Sequence, residues 1–302
     1  MQKQTLLAVS VLLLGGLTAI MPPLAQAQVL VAQNRSYLPS SPYQKRQQLN
    51  KLFAQGRKLV SAGNYSGAIG IYQQAAKLSP KNARIFATIG YLQARKGSFS
   101  AAAEGYRQAI ALAPTHADFY YALGYILANM GDNSGAAAAY RRTTKLDPKN
   151  LNAYLGLGVV LLRQKEYNGA MMACQQVVAL EPKNAGAYEL MGALLMQQGQ
   201  TSEAIAALQK AATLGPNNSS VLWNLAIAWV SHGNITAGLM TLKQAAQLDP
   251  RNVKVLLQMG KILRKQNDLD GALEAYRRAL SVQPNLVEAK NAMNDILKQK
   301  RL

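Results

Sequence analysis

Beyond residue 48 the polar and apolar positions recur at one fixed interval. Prolines stand at Pro80, Pro114, Pro148, Pro182, Pro216, Pro250 and Pro284, each 34 residues after the last, with none between. Set out in rows of that length from Leu49, the eighth column reads Gly56, Gly90, Gly124, Gly158, Gly192, Ala226 and Gly260. The twentieth is Ala68, Ala102, Ala136, Ala170, Ala204, Gly238 and Ala272, and the twenty-fourth is large or apolar: Tyr72, Tyr106, Tyr140, Cys174, Leu208, Leu242 and Tyr276. The fifteenth carries Gly63, Gly97, Gly131, Lys165, Gly199, Gly233 and Asn267. Ala, Leu and Gln dominate between these breakers, which favours helix. Each row therefore predicts two helices, the first stopped at column fifteen by a residue able to take positive φ and the second by the proline. A fixed period of this kind marks a stacked array rather than one globular core.

A glycine inside a helix costs about 1 kcal/mol against alanine. Six of them in column eight predict a close approach, in which glycine there and alanine at column twenty let paired helices touch backbone to backbone. Lys165 departs from the glycine of its column and predicts mild strain. Near-copies of one phrase (LSPKN, LDPKN, LEPKN, LGPNN, LDPRN) close the rows. They read as hinges between helix pairs, with a Lys or Arg beside the proline suited to the negative end of the helix dipole. Residues 287–302, VEAKNAMNDILKQKRL, begin a further first helix without a second. Ala289, Met293, Ile296 and Leu297 make its apolar stripe, and Lys290, Asn294, Lys298 and Arg301 its polar side, as expected of a terminal cap.

The amino terminus follows different rules. Lys3, an apolar run over 6–20, Pro22-Pro23 and then Ala25-Gln26-Ala27 form an export-signal pattern, with cleavage expected after Ala27. The alternative is an uncleaved membrane anchor, since Arg35, Lys45 and Arg46 outnumber Lys3 and positive flanks stay cytoplasmic. Residues 28–48, basic and containing Pro39, Pro42 and a Ser pair, read as an extended linker.

The Leu-Gly…Ala…Tyr…Ala…Pro pattern at a 34-residue period resembles the tetratricopeptide repeat (TPR). The resemblance covers 49–286. It implies an all-α fold: a right-handed superhelix, or α-solenoid, of seven TPR helix hairpins plus a capping helix at 287–302. In that family the first helices line a concave groove through columns 2, 5, 6, 9, 12 and 13. Carried onto this chain, the implied partner-binding groove comprises Phe53, Arg57, Arg84, Tyr91, Arg95, Tyr121, Tyr125, Asn129, Asn152 and Arg163, then Trp223, Asn224, Lys254 and Lys261. Aromatic faces beside guanidinium groups suit an extended or helical protein segment with acidic and aromatic side chains. Some TPR domains clamp a terminal carboxylate with Lys, Asn, Asn, Lys and Arg. The nearest match here, Glu189, Ala193, Asn224, Lys254 and Gln258, agrees at two positions, and Glu189 would repel that ligand.

Charge narrows the partner only partly. The 302 residues hold 33 Lys plus Arg against 14 Asp plus Glu, a net +19, and the first acid is Glu104. Such a surface attracts acidic peptides, anionic membrane or nucleic acid. The export signal argues against nucleic acid, as does 183–250, where Lys183, Lys210 and Lys243 balance Glu189, Glu203 and Asp249. Arg107, Arg141, Arg142, Lys210, Lys243, Arg277 and Arg278, on the second helices, read as an outward solvated face or as a stripe for anionic headgroups. One cysteine, Cys174, and two distant histidines, His116 and His232, give no disulfide framework, metal site or nucleophile–base pair. No cofactor is implied.

The expected function is a non-catalytic scaffold or assembly factor that holds a peptide segment of another protein. The alternative is a membrane-anchored basic TPR factor docking on anionic membrane during complex biogenesis. A signal joined to a TPR array is similar to exported or membrane-associated TPR assembly factors of cyanobacteria and Gram-negative bacteria. The sequence names no partner and leaves the oligomeric state open.

Overall fold

Side-chain caps set many of the helix starts among the described residues. Asn82, Asn150, Asn184, Asn218 and Asn252, the last letter of each recurring phrase, accept a hydrogen bond from a backbone N–H two or three residues on. An asparagine cap contributes about 1 kcal/mol. The phrase therefore stops one helix and starts the next, where the sequence suggested only the stop.

The computed structural model describes residues 40–300. The expected cleavage site, the apolar run, residues 28–39 and Arg301 lie outside the described residues. Among the described residues there are fifteen helices and no strand. They are α1 (Ser40–Ser61), α2 (Tyr65–Leu78), α3 (Ala83–Arg95), α4 (Phe99–Leu112), α5 (Ala117–Asn129), α6 (Asn133–Leu146), α7 (Leu151–Arg163) and α8 (Tyr167–Leu180). There follow α9 (Ala185–Gln197), α10 (Thr201–Leu214), α11 (Ser219–Ser231), α12 (Ile235–Leu248), α13 (Val253–Lys265), α14 (Leu269–Val282) and α15 (Val287–Gln299). None is long and apolar enough to cross a membrane.

One stretch differs from expectation. Residues 40–48, read as extended linker, are the first turns of α1, and 43–48 are exposed along it. Pro42 falls in the first turn, where its missing N–H has no intrahelical acceptor to lose, and the Gln, Lys and Arg that follow are good helix formers.

The chain divides into two compact units, one running to Ala173 and the other from Cys174, with the boundary inside α8. In the first, α1–α2, α3–α4 and α5–α6 pack as hairpins. The column-eight glycines lie under column-twenty-four rings. A Cβ on Gly56 would come 2.7 Å from the Tyr72 ring, and one on Gly124 would come 2.9 Å from Tyr140. Close main-chain approach occurs at Gly90, where an added Cβ would come 3.0 Å from the Ala102 carbonyl oxygen, opposite Gly105, whose Cβ would stand 2.8 Å from the Gly90 main chain. In this unit the expected backbone-to-backbone approach is thus realised at α3–α4, while at those other two a tyrosine fills the space that a Cβ would take. The same approach recurs at α11–α12, where a Cβ on Gly238 would come 3.1 Å from the Ala226 carbonyl oxygen.

In the second unit α9–α10, α11–α12 and α13–α14 form hairpins, and α15 packs on α14. Gly192 and Gly260 lie against Leu208 and Tyr276, at 2.5 and 2.6 Å for an added Cβ. The capping helix buries Ala289, Ala292 and Ile296, with Met293 partly covered. Leu297, expected on that stripe, is 38 % exposed, because the buried face follows a 289–292–293–296 spacing that leaves it on the flank. Lys165 and Asn267 both adopt φ 63°, the left-handed conformation that the other rows give to glycine. This meets the expectation of strain at Lys165.

Candidate partner-binding surface

The surface predicted to bind a partner is built on the first helix of each hairpin. In the unit ending at Ala173 these are α1, α3, α5 and α7. Arg57 and Arg84 are exposed and make no ion pair or hydrogen bond through their guanidinium groups among the described residues. Arg95, one turn beyond Tyr91 on α3, donates to the Tyr91 hydroxyl at 3.2 Å and to the Tyr65 hydroxyl of α2 at 2.8 Å. Its guanidinium also lies over the Tyr65 ring, 5.3 Å from the centroid. These bonds, the one to Tyr91 foremost, push the Arg95 pKa above its ordinary value while the group stays exposed. Tyr65 belongs to none of the groove columns, because it lies on a second helix thirty residues earlier.

The aromatic candidates divide. Phe53 is half-buried with its ring tilted against Tyr72 at 6.2 Å, and Tyr91 and Tyr125 are half-buried. Tyr121 is only 3 % exposed and packs against the Tyr140 ring at 5.9 Å. Burial pushes the Tyr121 phenol up to about 12. It is a packing residue within its own hairpin, not part of an open surface.

Asn129 is exposed and donates to the Tyr125 carbonyl one turn back, at 2.8 Å. Asn152 is half-buried. Arg163 is also half-buried and ties α7 to its neighbours, donating to the Ala128 carbonyl at 3.1 Å and to Asn133 Oδ1 at 3.4 Å. Desolvation lowers its pKa. It acts as an inter-repeat tie, which its column could not reveal.

In the unit from Cys174 the first helices are α9, α11 and α13. Lys254 is exposed, whereas Lys261 is engaged by Glu288 of the capping helix at 2.5 Å. Trp223 and Asn224 are buried, at 8 % and 6 % exposure. Glu189, whose sign disqualified the carboxylate clamp, is itself only 8 % exposed. Its Oε1 accepts from Ser220 Oγ at 2.9 Å and from Asn224 Nδ2 at 3.0 Å. Burial pushes the carboxyl pKa up, against the opposing pull of these two bonds. Cys174, whose thiol burial pushes up to about 12, is an inert apolar filler.

Residues 26–296 match the family model of the cilia and flagella-associated protein 70 C-terminal domain, a TPR family. The chain belongs to that family. Solved structures agree on the TPR architecture. A tetratricopeptide repeat protein from Parabacteroides merdae superposes with a TM-score of 0.68 at 16 % identity, over 83 % of this chain and 99 % of that one. Pseudomonas aeruginosa pilF gives 0.59 at 20 % identity, over 72 % and 98 %. MamA from Desulfovibrio magneticus gives 0.52 at 26 % identity, over 57 % and 97 %. No curated protein matches the chain. The TPR fold makes this protein a protein–protein interaction scaffold, and TPR relatives are typically non-catalytic.

Proposed function

We propose that this TPR protein captures an extended or helical segment of another protein, bearing acidic and aromatic side chains, on the first-helix face of residues 40–173, and catalyses no reaction. One observation carries the reading. Arg57, Arg84 and Arg95 are exposed on α1 and α3, none has a carboxylate within ion-pair distance among the described residues, and Phe53 and Tyr91 stand half-open on the same two helices, with Tyr125 half-open on α5. Unpaired guanidinium groups supply forked donors for carboxylates, and the rings supply apolar area at low conformational cost. Tyr121 and Arg163 hold that face in place from beneath. The export pattern ending at Ala27 supports capture outside the cytoplasm, with the membrane-anchored form as the alternative.

The test is capture from native cells by crosslinking, followed by mass spectrometry of the captured segments. The double variant Arg57→Glu/Arg84→Glu and the single variant Tyr125→Ala should each lower capture at least about tenfold, the scale of a lost charge-assisted contact or buried aromatic anchor. Helicity measured by circular dichroism should be unchanged. Undiminished capture by the arginine variant moves the site elsewhere.

A second reading, docking on anionic membrane, is favoured by the exposed Arg107, Arg141, Lys210, Lys243 and Arg277 of the second helices. Arg141 is partly neutralised by Glu166 at 3.6 Å.

A further inference from the structure

Glu189 is a nine-tenths-buried carboxylate with no cation to answer it. The two donors that reach it, Ser220 Oγ and Asn224 Nδ2, converge on the same oxygen, Oε1. No Lys, Arg or His among the described residues comes within ion-pair distance of it. Beside it, Asn224 has committed its amide N–H to Glu189, and its own Oδ1 is buried without a hydrogen-bond partner. Two acceptors at the site are left without a donor: the second carboxylate oxygen and the buried Asn224 carbonyl. An ionised carboxylate has no proton to offer, so what is missing is a donor. A buried anion that finds no opposite charge is strongly unfavourable, and a buried acceptor without a donor is costly in its own right.

We propose that Glu189, with Asn224, is the receptor for a lysine side chain carried by a partner polypeptide. The ammonium group matches these acceptors in kind: three donors, no acceptor, one positive charge on a slender stem that can pass where only 8 % of Glu189 meets solvent. Position supports it. Glu189 on α9 and Ser220 and Asn224 on α11 belong to adjacent first helices, whose contact brings residues 31 and 35 positions apart together. Charge supports it too. In a chain of net +19, residues 183–250 carry three lysines against three acids, so a cationic segment meets no repelling excess there. The inference is independent of the acidic segment proposed for residues 40–173 and stands on a different unit of the chain.

The full-length protein carries its own reporter. Its two tryptophans, Trp223 and Trp229, both lie on α11, and Trp223 precedes Asn224 directly. An acetylated, amidated, alanine-based octapeptide with one central lysine is titrated against the protein, with tryptophan fluorescence as the readout. A saturable change is expected. It should weaken at least about tenfold when norleucine, which keeps the stem and removes the charge, replaces the lysine, and equally when Glu189→Gln replaces the carboxylate. Equal affinity for the norleucine peptide, full affinity in a folded Glu189→Gln protein, or no saturable change at millimolar lysine peptide each overturns the proposal. Circular dichroism establishes that the variant is folded; should it not be, the lysine–norleucine pair on the unmodified protein decides alone.

Discussion

A carboxyl group held at 8 % exposure and bonded only to Ser220 and Asn224 has consequences for stability as well as for binding. Burial raises its pKa, so between the ordinary carboxylate value of about 4.3 and the raised folded value the native state holds more protons than the unfolded chain. The associated stability is therefore fully present below the ordinary value and is lost as pH rises through the folded pKa. Glu189→Gln keeps an acceptor for both donors and removes the charge. Its thermal midpoint should exceed that of the unmodified protein at pH 7.5, with the difference shrinking towards zero near pH 4. Melting curves followed by circular dichroism check this, and a variant less stable at pH 7.5 would show that the carboxylate is compensated in the free protein. Natural sites often carry such a local cost where a ligand is to be met. At this scale the sequence column revealed Lys165 and Asn267 correctly, because a left-handed helix stop is a local backbone requirement. It did not reveal that Tyr65 would join Arg95, since that contact spans two helices.

Among the helices, the glycine column tests what holds a hairpin together. A Cβ on Gly260 would sit 2.6 Å from the Tyr276 ring, which is 2 % exposed and has no room to yield. Gly260→Ala should overpack that contact by about 1–3 kcal/mol, outweighing the helix propensity of up to about 1 kcal/mol that alanine restores. Gly70, on α2, has nothing within 4 Å of an added Cβ, so Gly70→Ala should gain up to about 1 kcal/mol. Urea unfolding of both variants separates the two cases, and a stabilised Gly260→Ala would deny the packing role of the column. The period predicted both helices of every hairpin. The reason for the glycines was only half legible: a tyrosine or leucine ring or branch over the glycine occurs at four of these positions, and main-chain contact at Gly90. Nothing in a column of glycines distinguishes those two uses.

For the molecule as a whole, the net +19 acts through the solvent and not through any one contact. If the exposed basic residues of the second helices rest on headgroups, cosedimentation with vesicles containing anionic lipid should fall steeply as salt rises. The Debye length contracts from about 30 Å at 0.01 M to about 3 Å at 1 M. Binding that ignores salt, or none at low salt, removes the membrane reading and leaves the protein-capture reading untouched. Net charge was fully legible in the sequence, but where it is neutralised was not: Lys261 is taken by Glu288, and Arg264 pairs with Asp295 at 3.4 Å, both through the capping helix.

The sequence by itself determined the period, the helix pairs, the stops and the class of fold, because glycine, proline and asparagine act on the backbone within a few residues of where they stand. Which side chains remain open to a partner was decided only by tertiary packing. Column five places Phe53 half in solvent and Tyr121 at 3 %, and it turns Glu189 from an outlier into a buried carboxyl group. Exposure at one position depends on the volume and donors supplied by its hairpin partner, as Tyr140 does for Tyr121, and by the neighbouring repeat, as Ser220 and Asn224 do for Glu189, and no single column contains that information.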